Sequence, residues 1–301
     1  MNRRIDICVC TFRRPHVIET LASLHAQNLP HDVAARVLVI DNDDTPTAKA
    51  WVAQAAGSGP IPIDYMHRPG RNISLARNAA LEASDARFLA FIDDDERAGP
   101  NWVAALLARQ EQTGAEIVLG PVRAVYPPNA PDWMQRANLH STRPVWVKGT
   151  IRTGYSCNVL MDRQNEILAQ ARFDLDFGRT GGEDTLFFST LHDAGIAIDF
   201  AAEASIDEPV AAERLNRRWL MQRRFRMGQT HANLLCRRDN HTPQAAATLA
   251  ATKALICFAK ATATLPLPAI SVPAQLRGWL HAGVVAGLMG RPAKRLYGGS
   301  P

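Results

Sequence analysis

The chain has 301 residues, of which 47% are hydrophobic and 21% charged, with a formal net charge of +5. These values exclude a disordered or fibrous chain and allow one or two domains with a sizeable core. The positive charge is local, crowded into the arginines of 214–226, and suits an anionic partner such as a phosphate or an acidic lipid surface.

Ile5–Thr11 is a β-branched run ended by a polar turn and reads as a strand. Pro15 then opens a helix whose apolar face is Ile18, Leu21 and Leu24. Arg36–Ile40 is a continuous apolar strand of the kind buried on both faces. A helix over 48–56, a Gly/Pro loop and a strand over 61–66 follow. Asn72–Ala83 reads as a helix, with Ser74 as its candidate cap. Arg87–Ile92 is another buried strand and runs into Asp93, Asp94 and Asp95. Trp102–Gln112 reads as helix and Glu116–Val122 as strand. Residues 126–149, rich in Pro and Trp, form an irregular excursion before a strand over 154–161. A helix over 183–194 is opened by Gly181 and Gly182. From Leu215 the chain is helical and basic, then small and apolar, then a glycine-rich tail.

Strands alternating with helices at this spacing predict an α/β fold, with a mainly parallel sheet and helices on both faces. Ligands of such sheets bind beyond the carboxyl ends of the strands. Thr11, Asp41 and Asp93 to Asp95 fall at those ends.

Three successive carboxylates after a buried strand repel one another and call for a cation, and hard oxygen ligands suit Mg2+ or Mn2+. A solvated acidic turn is the alternative. In Asp41-Asn42-Asp43, the first carboxylate can accept from a base N–H or a ribose hydroxyl, although such residues also form turns. Pro69–Asn78 combines Gly70, Arg71, Arg77 and a helix start at Asn72, which together suit an anion. In Gly181-Gly182-Glu183-Asp184-Thr185 the acidic pair occupies a first helical turn. Helix capping explains it, and so does a general base at the mouth of a sugar pocket. Between 214 and 227, six arginines interleave with Leu215, Trp219, Leu220, Met221, Phe225 and Met227. Such a basic amphipathic helix suits a membrane surface or a pyrophosphate-linked lipid, or else packs on the core with its arginines in solvent. No pattern of a nucleic-acid module accompanies it.

Taken in order, Thr11-Phe12-Arg13-Arg14-Pro15, Asp41-Asn42-Asp43, Asn72 to Asn78, Asp93 to Asp95 and Gly181-Gly182-Glu183-Asp184 resemble the motif series of family 2 glycosyltransferases. The resemblance spans residues 5–231 and is strongest to bacterial exopolysaccharide enzymes of the succinoglycan glucosyltransferase type, which share the kind of segment seen from Ile206 to Gly228. It implies a GT-A, Rossmann-like fold over 1–212, with a nucleotide-sugar half at 1–125 and an acceptor half at 126–212. A basic and apolar helical region follows at 213–301. It further implies a nucleotide diphosphate sugar donor, UDP-linked by preference, a Mn2+ or Mg2+ cofactor and inversion at the anomeric carbon. Thr11, Arg13, Asp41, Asp43, Asn72, Arg77, Asp93 and Asp94 would bind the donor, and Asp95 with Asp93 the metal. Asp184, with Glu183 beside it, would be the catalytic base. Arg218, Trp219 and Arg223 are candidates for the acceptor or its diphosphate, the acceptor being a lipid-linked oligosaccharide or other glycan.

Two departures from the pattern matter. Processive relatives carry Gln-x-x-Arg-Trp, whereas Leu215 stands before Arg218-Trp219 here, which favours addition of a single sugar. Many relatives place a metal-binding His where this chain has Ser205-Ile206-Asp207-Glu208, so a third protein ligand would be a carboxylate. A sugar-phosphate nucleotidyltransferase is a competing reading, but no Gly-rich activating loop follows the first strand. A non-catalytic membrane- or polysaccharide-binding protein is another, and the complete acidic set argues against it.

Cys8, Cys10, Cys157, Cys236 and Cys257 contain no Cys-x-x-Cys pair and read as buried, reduced thiols. The run Ile5–Val9 is too short for a signal-peptide core. The apolar stretches near Leu249 and Trp279 are interrupted by Lys253, Lys260, Pro266, Pro268 and His281, so no membrane span is expected. A cytoplasmic protein, peripheral at the inner face of a bacterial plasma membrane, is the implied location.

Overall fold

The computed structural model describes residues 3–237 and 242–291, and the glycine-rich tail expected at the end lies outside them. The described residues form two compact units, 3–125 with 141–209 and 126–140 with 210–291.

In the first unit the chain begins β1 (Arg3–Thr11), α1 (Val17–His25), β2 (Val33–Asp41), α2 (Lys49–Ala56), β3 (Ile63–His67), α3 (Ile73–Ala83) and β4 (Phe88–Asp93). It continues with β5 (Arg97–Ala98), α4 (Trp102–Thr113), β6 (Ile117–Leu119) and β7 (Val122–Val125). Between the two parts of this unit lies α5 (Asp132–Ala137) of the second. The first unit resumes with β8 (Trp146–Val147), β9 (Thr150–Ile151), β10 (Asn158–Asp162), α6 (Glu166–Gln170), α7 (Glu183–Asp193), β11 (Ile198–Phe200) and β12 (Ile206–Pro209).

The main sheet has the order β11-β6-β10-β4-β1-β2-β3. Its neighbours are parallel except β10, which runs antiparallel to both β4 and β6. Ile5, Ile7 and Val9 of β1 point into a core with α1, α2 and α4. Cys8 and Cys10 point the other way, into a core with α3, α6 and α7. Burial on both faces is why these strands read as unbroken apolar runs. The register pairs Thr11 with Asp41, Cys10 with Asp93 and Asp41 with His67, so polar strand ends form one crest.

Several boundaries differ from the sequence reading. The strand expected over 116–122 breaks at Gly120-Pro121, where Pro121 has no N–H to give a ladder, and β7 moves into a second sheet of order β5-β12-β7. The strand expected over 154–161 is β10 alone, because Tyr155 turns aside to donate from its hydroxyl to the Gly120 carbonyl at 2.7 Å. The excursion over 126–149 holds α5 and one arm of a hairpin, whose turn residues Lys148 and Gly149 adopt φ of 53° and 80°. Residues 126–140 group with the second unit, not with an acceptor half running to 212, because Met134 is buried among Leu220, Val272 and Leu276.

The second unit also contains a 3₁₀ turn at Ala212–Arg214, α8 (Arg217–Arg237), α9 (Pro243–Ala263) and α10 (Pro268–Leu288). A Cβ at Gly228 or Gly283 would strike the backbone of the facing helix, so α8 and α10 need glycine there to pack this closely. Where the sequence predicts no membrane span, α9 runs through Lys253 and Lys260 and is, by length and composition, long and apolar enough to cross a membrane. Pro268 starts α10 at a first-turn position that lacks no hydrogen bond. All five cysteines are free, but Cys236 is exposed on α8 and not buried as expected.

One buried polar link ties the two sheets together. The Asn158 side chain accepts from Trp102 Nε1 at 2.8 Å and donates to the carbonyls of Pro121 and Ala204 at 3.0 and 2.8 Å. Leucine at position 158 would strand all three partners. Asn158→Leu is expected to lose about 3 kcal/mol in urea denaturation. A loss under about 1 kcal/mol would show that the three partners find other hydrogen bonds.

Candidate active site

At the carboxyl end of β1, the buried Thr11 hydroxyl donates to Asp94 at 2.8 Å. Arg14, in the loop before α1, reaches Asp94 at 2.8 Å and Asp95 at 2.9 Å. Burial opposes charge on this guanidinium, but Asp94, Asp95 and Asp93 more than offset it and raise its pKa. The sequence points to Arg13 in this string, but Arg13 turns away with φ of 57° and pairs with Asp43 at 2.8 Å. Nothing local in the sequence separates Arg14 from Arg13, and only their contacts distinguish them.

The β2 end is internally satisfied. Asp41 is fully buried and accepts from Tyr65 Oη at 2.8 Å, Ala48 N at 2.9 Å and Asp43 N at 3.1 Å. Asp43, also buried, accepts from Thr47 and Asp44 N as well as Arg13, and these donors hold its carboxyl below the usual range against desolvation. Both residues therefore shape the crest by fixing the loop to α2, and their carboxylates already have donors.

Asn72, not Ser74, caps α3, accepting from Leu75 N at 3.2 Å. Ser74 lies within the first turn and its hydroxyl donates instead to the Asp174 carbonyl at 2.8 Å. Asn72 also donates to the Leu175 carbonyl at 2.9 Å, while Asn78 exchanges two hydrogen bonds with the Phe173 backbone. A Cβ at Gly178 would overlap the Asn72 side chain, so the 173–178 loop needs glycine there to dock this closely on α3.

From α3 the Arg77 guanidinium, 6% exposed, bridges two other elements. It meets Glu183 of α7 at 2.5 Å and Asp93 of β4 at 3.7 Å, and lies over the Phe173 ring at 5.6 Å. Burial disfavours its charge, yet Glu183, Asp93 and Asp184 raise its pKa overall. Glu183 is buried too. Desolvation and Asp184 push its carboxyl up against Arg77, and its Oε2 has no hydrogen-bond partner among the described residues. Gly181 and Gly182, at φ of 86° and 94°, make the turn that admits α7. Asp184 is half-buried on the same first turn and accepts from Thr185 N at 2.6 Å.

Asp93 keeps 39% of its side chain exposed, but the recess around its oxygens desolvates it. Desolvation, with Asp95 and Asp94 adding to it against Arg77 and Arg14, pushes its carboxyl up to about 7. The pattern DDDE also hid a fourth member. Glu96 is buried, accepts from Asp93 N at 2.8 Å, and is driven well up by burial and then by Asp93 and Glu208. Because β10 starts antiparallel beside the end of β4, Cys157 comes to the same place, and ligand atoms of Asp93, Glu96 and Cys157 lie within 4.8 Å of one another. Burial and then Glu96, Asp93, Glu208 and Asp184 push the Cys157 thiol up. In this cluster the carboxylates outnumber the guanidiniums of Arg14 and Arg77. The partly exposed Asp93 and Asp95 offer oxygen donors of the kind a hard divalent cation takes.

In the second unit, Trp219 stacks on His140 at 5.3 Å, with Arg214 and Arg223 over its ring at 5.7 and 5.4 Å. Arg218 is exposed. The apolar side of α8 packs inward through Leu220 and Phe225, the latter against Trp279.

The family model described as glycosyl transferase family 2 matches residues 6–167. The succinoglycan biosynthesis protein ExoM of Rhizobium meliloti (strain 1021) is 48% identical over 295 residues, covering 98% of this chain and 96% of that protein. Among solved structures, the mannosyltransferase PcManGT from Pyrobaculum calidifontis, in complex with GDP-Man and Mn2+, is similar with a TM-score of 0.66 at 17% identity. That match covers 97% of this chain and 89% of the other. TarS 1-349 of S. aureus, in complex with UDP-GlcNAc, has a TM-score of 0.54 at 14% identity over 96% of this chain and 92% of that one.

Removing one partner of a buried ion pair leaves an uncompensated charge, which costs more than the pair contributes. Arg77→Met is therefore expected to destabilise the protein by about 3 kcal/mol at neutral pH, with most of the loss recovered in Arg77→Met/Glu183→Met. Equal losses in the single and double variants, by chemical denaturation, would disprove the coupling.

Proposed function

The chain belongs to glycosyl transferase family 2 and has the GT-A fold, and from that premise we propose that it transfers one sugar, with inversion, from a nucleotide diphosphate sugar to a glycan acceptor. The observation that carries this reading is the acidic cluster at the carboxyl end of β4, where Asp93, Glu96 and Cys157 bring ligand atoms within 4.8 Å of one another and Arg77 links Asp93 to Glu183 of α7. UDP is the favoured nucleotide. The acceptor is a lipid-linked oligosaccharide of exopolysaccharide synthesis, supported by the near full-length likeness to a succinoglycan biosynthesis protein. The GDP-Man, Mn2+ and UDP-GlcNAc bound to the two structural neighbours support a nucleotide-sugar donor and a metal.

In this mechanism, Thr11, Asp41 and Asn72 shape the nucleoside end of the cleft, and Arg77 sets the charge around the diphosphate. Asp93 and Asp95 would hold Mn2+ or Mg2+, with Asp95 shared with Arg14. When bound, such a cation would supply positive charge for a departing diphosphate. Asp184 accepts the proton of the acceptor hydroxyl as its oxygen attacks the anomeric carbon, and the nucleoside diphosphate leaves from the opposite face. Glu183 holds the base in place through Arg77, since residues 183 and 184 share one helical turn. Arg218, Trp219 and Arg223 are assigned to the acceptor or its diphosphate. Residues 1–212 are assigned to catalysis and 213–301 to acceptor and membrane-surface contact, with the protein peripheral at the inner face of the plasma membrane. Leu215, where processive relatives have Gln, fits the addition of a single sugar.

Asp184→Asn removes the base without altering shape. It is expected to lower kcat by about a thousandfold while leaving donor affinity within a few-fold. The test is steady-state transfer from UDP-glucose to a lipid-diphosphate oligosaccharide extract, with product anomer read by NMR. A retained anomeric configuration, or full activity in Asp184→Asn, would overturn the assignment.

A further inference from the structure

The fold leaves one apolar surface of the second unit uncovered. Leu255 and Ile256 on α9 are 70% and 63% exposed, and Leu265 and Leu267 in the turn to α10 are 66% and 55% exposed. Leu249 and Ile256, seven residues apart, lie on the outer side of α9, away from the buried Ala250, Ala254 and Ala261 that pack inward. Lys253 and Lys260, also seven apart and exposed, run along the adjacent edge of the helix. Over residues 242–291 the sequence contains no Asp or Glu, while Lys253, Lys260, Arg277 and Arg291 are basic. The field this creates is felt at His281, whose pKa is lowered by burial and then by Lys253, Arg277 and His231.

Solvent-facing helix surfaces normally mix acidic and basic side chains. Here they carry only cations. We propose that the outer face of α9 and the α9–α10 turn dock on the surface of an anionic lipid bilayer, the leucines and Ile256 entering the acyl boundary while Lys253 and Lys260 meet acidic headgroups. This specifies the membrane-surface contact of the proposed function and rests on that part of it alone, not on the glycosyl transfer chemistry. At 21 residues α9 is as long as a bilayer core is thick, about 30 Å. It does not fit a span, because Lys253 sits at mid-helix and one side is sealed by packing with Val284 and Ala232. A helix with one apolar side, flanking lysines and a packed back lies in the interface plane. The arginine-rich α8, which the sequence favours for this contact, packs Trp219, Leu220, Met221 and Phe225 against its neighbours and leaves Met227 exposed.

The test is sedimentation of the full chain with vesicles of phosphatidylcholine alone and of phosphatidylcholine with phosphatidylglycerol, at low and high salt. Wild type should pellet only with the anionic vesicles, and less at high salt. Leu255→Ser/Ile256→Ser and Lys253→Gln/Lys260→Gln should each weaken vesicle affinity about tenfold or more. All four positions are exposed, so UDP binding in the presence of Mn2+ should be unchanged and reports folding in the same samples. Wild type that stays in the supernatant, or variants that bind like wild type, would overturn the proposal. So would a lipid-free dimer that Leu255→Ser/Ile256→Ser converts to monomer, since a second copy would then cover the face. Vesicle binding without UDP binding would sink the donor reading and leave this one standing.

Discussion

A guanidinium with almost no access to water organises the candidate site. Arg77 comes from α3, but its partners come from β4 and from α7, so one side chain fixes three elements relative to each other. A buried ion pair adds little net stability, because desolvation offsets most of the Coulomb gain. What it supplies is position. With Arg77 in place, Glu183 cannot move without stranding a charge, and Asp184 on the same turn is held beside the carboxylates of the sheet edge.

The surrounding contacts follow from that requirement. The loop over 173–178 must be rigid if α7 is to enter where it does. It is pinned to α3 through Asn72, Ser74 and Asn78, each bonding to backbone and not to another side chain. On the opposite wall, Thr11 and Arg14 hold Asp94, and Arg14 also touches Asp95. Asp93 is left partly exposed, and desolvation first, with Asp95 and Asp94 adding to it, raises its pKa against Arg77 and Arg14. Glu96 beneath it, kept toward its neutral form by burial, braces the turn by accepting from the Asp93 N–H.

Much of this was legible in the sequence. The strands β1, β2 and β4 announce themselves because burial on both faces leaves no polar position to blur the pattern, and the acidic residues at their ends follow from the parallel fold. Contacts made across long sequence distances were not legible. Arg13 and Arg14 are indistinguishable until the positive φ of Arg13 sends one away. Asp41 and Asp43 look like free ligands because nothing local reveals Tyr65, Ala48 and Thr47 as their donors. Cys157 reads as a buried thiol, and only the antiparallel entry of β10 brings it beside Asp93. In the second unit, periodic arginines drew attention to α8, whereas the exposed apolar face belongs to α9, whose short alanine-rich turns give a weak pattern in sequence.

The proposed function requires that these carboxylates, held by Arg77 and Arg14, bind a nucleoside diphosphate through a divalent cation. The decisive measurement is calorimetric titration of the full chain with UDP, with and without Mn2+, repeated on Asp95→Asn. Binding should require Mn2+ and be lost in Asp95→Asn while the fold is retained. Metal-independent binding, or binding that survives Asp95→Asn, would rule this donor site out.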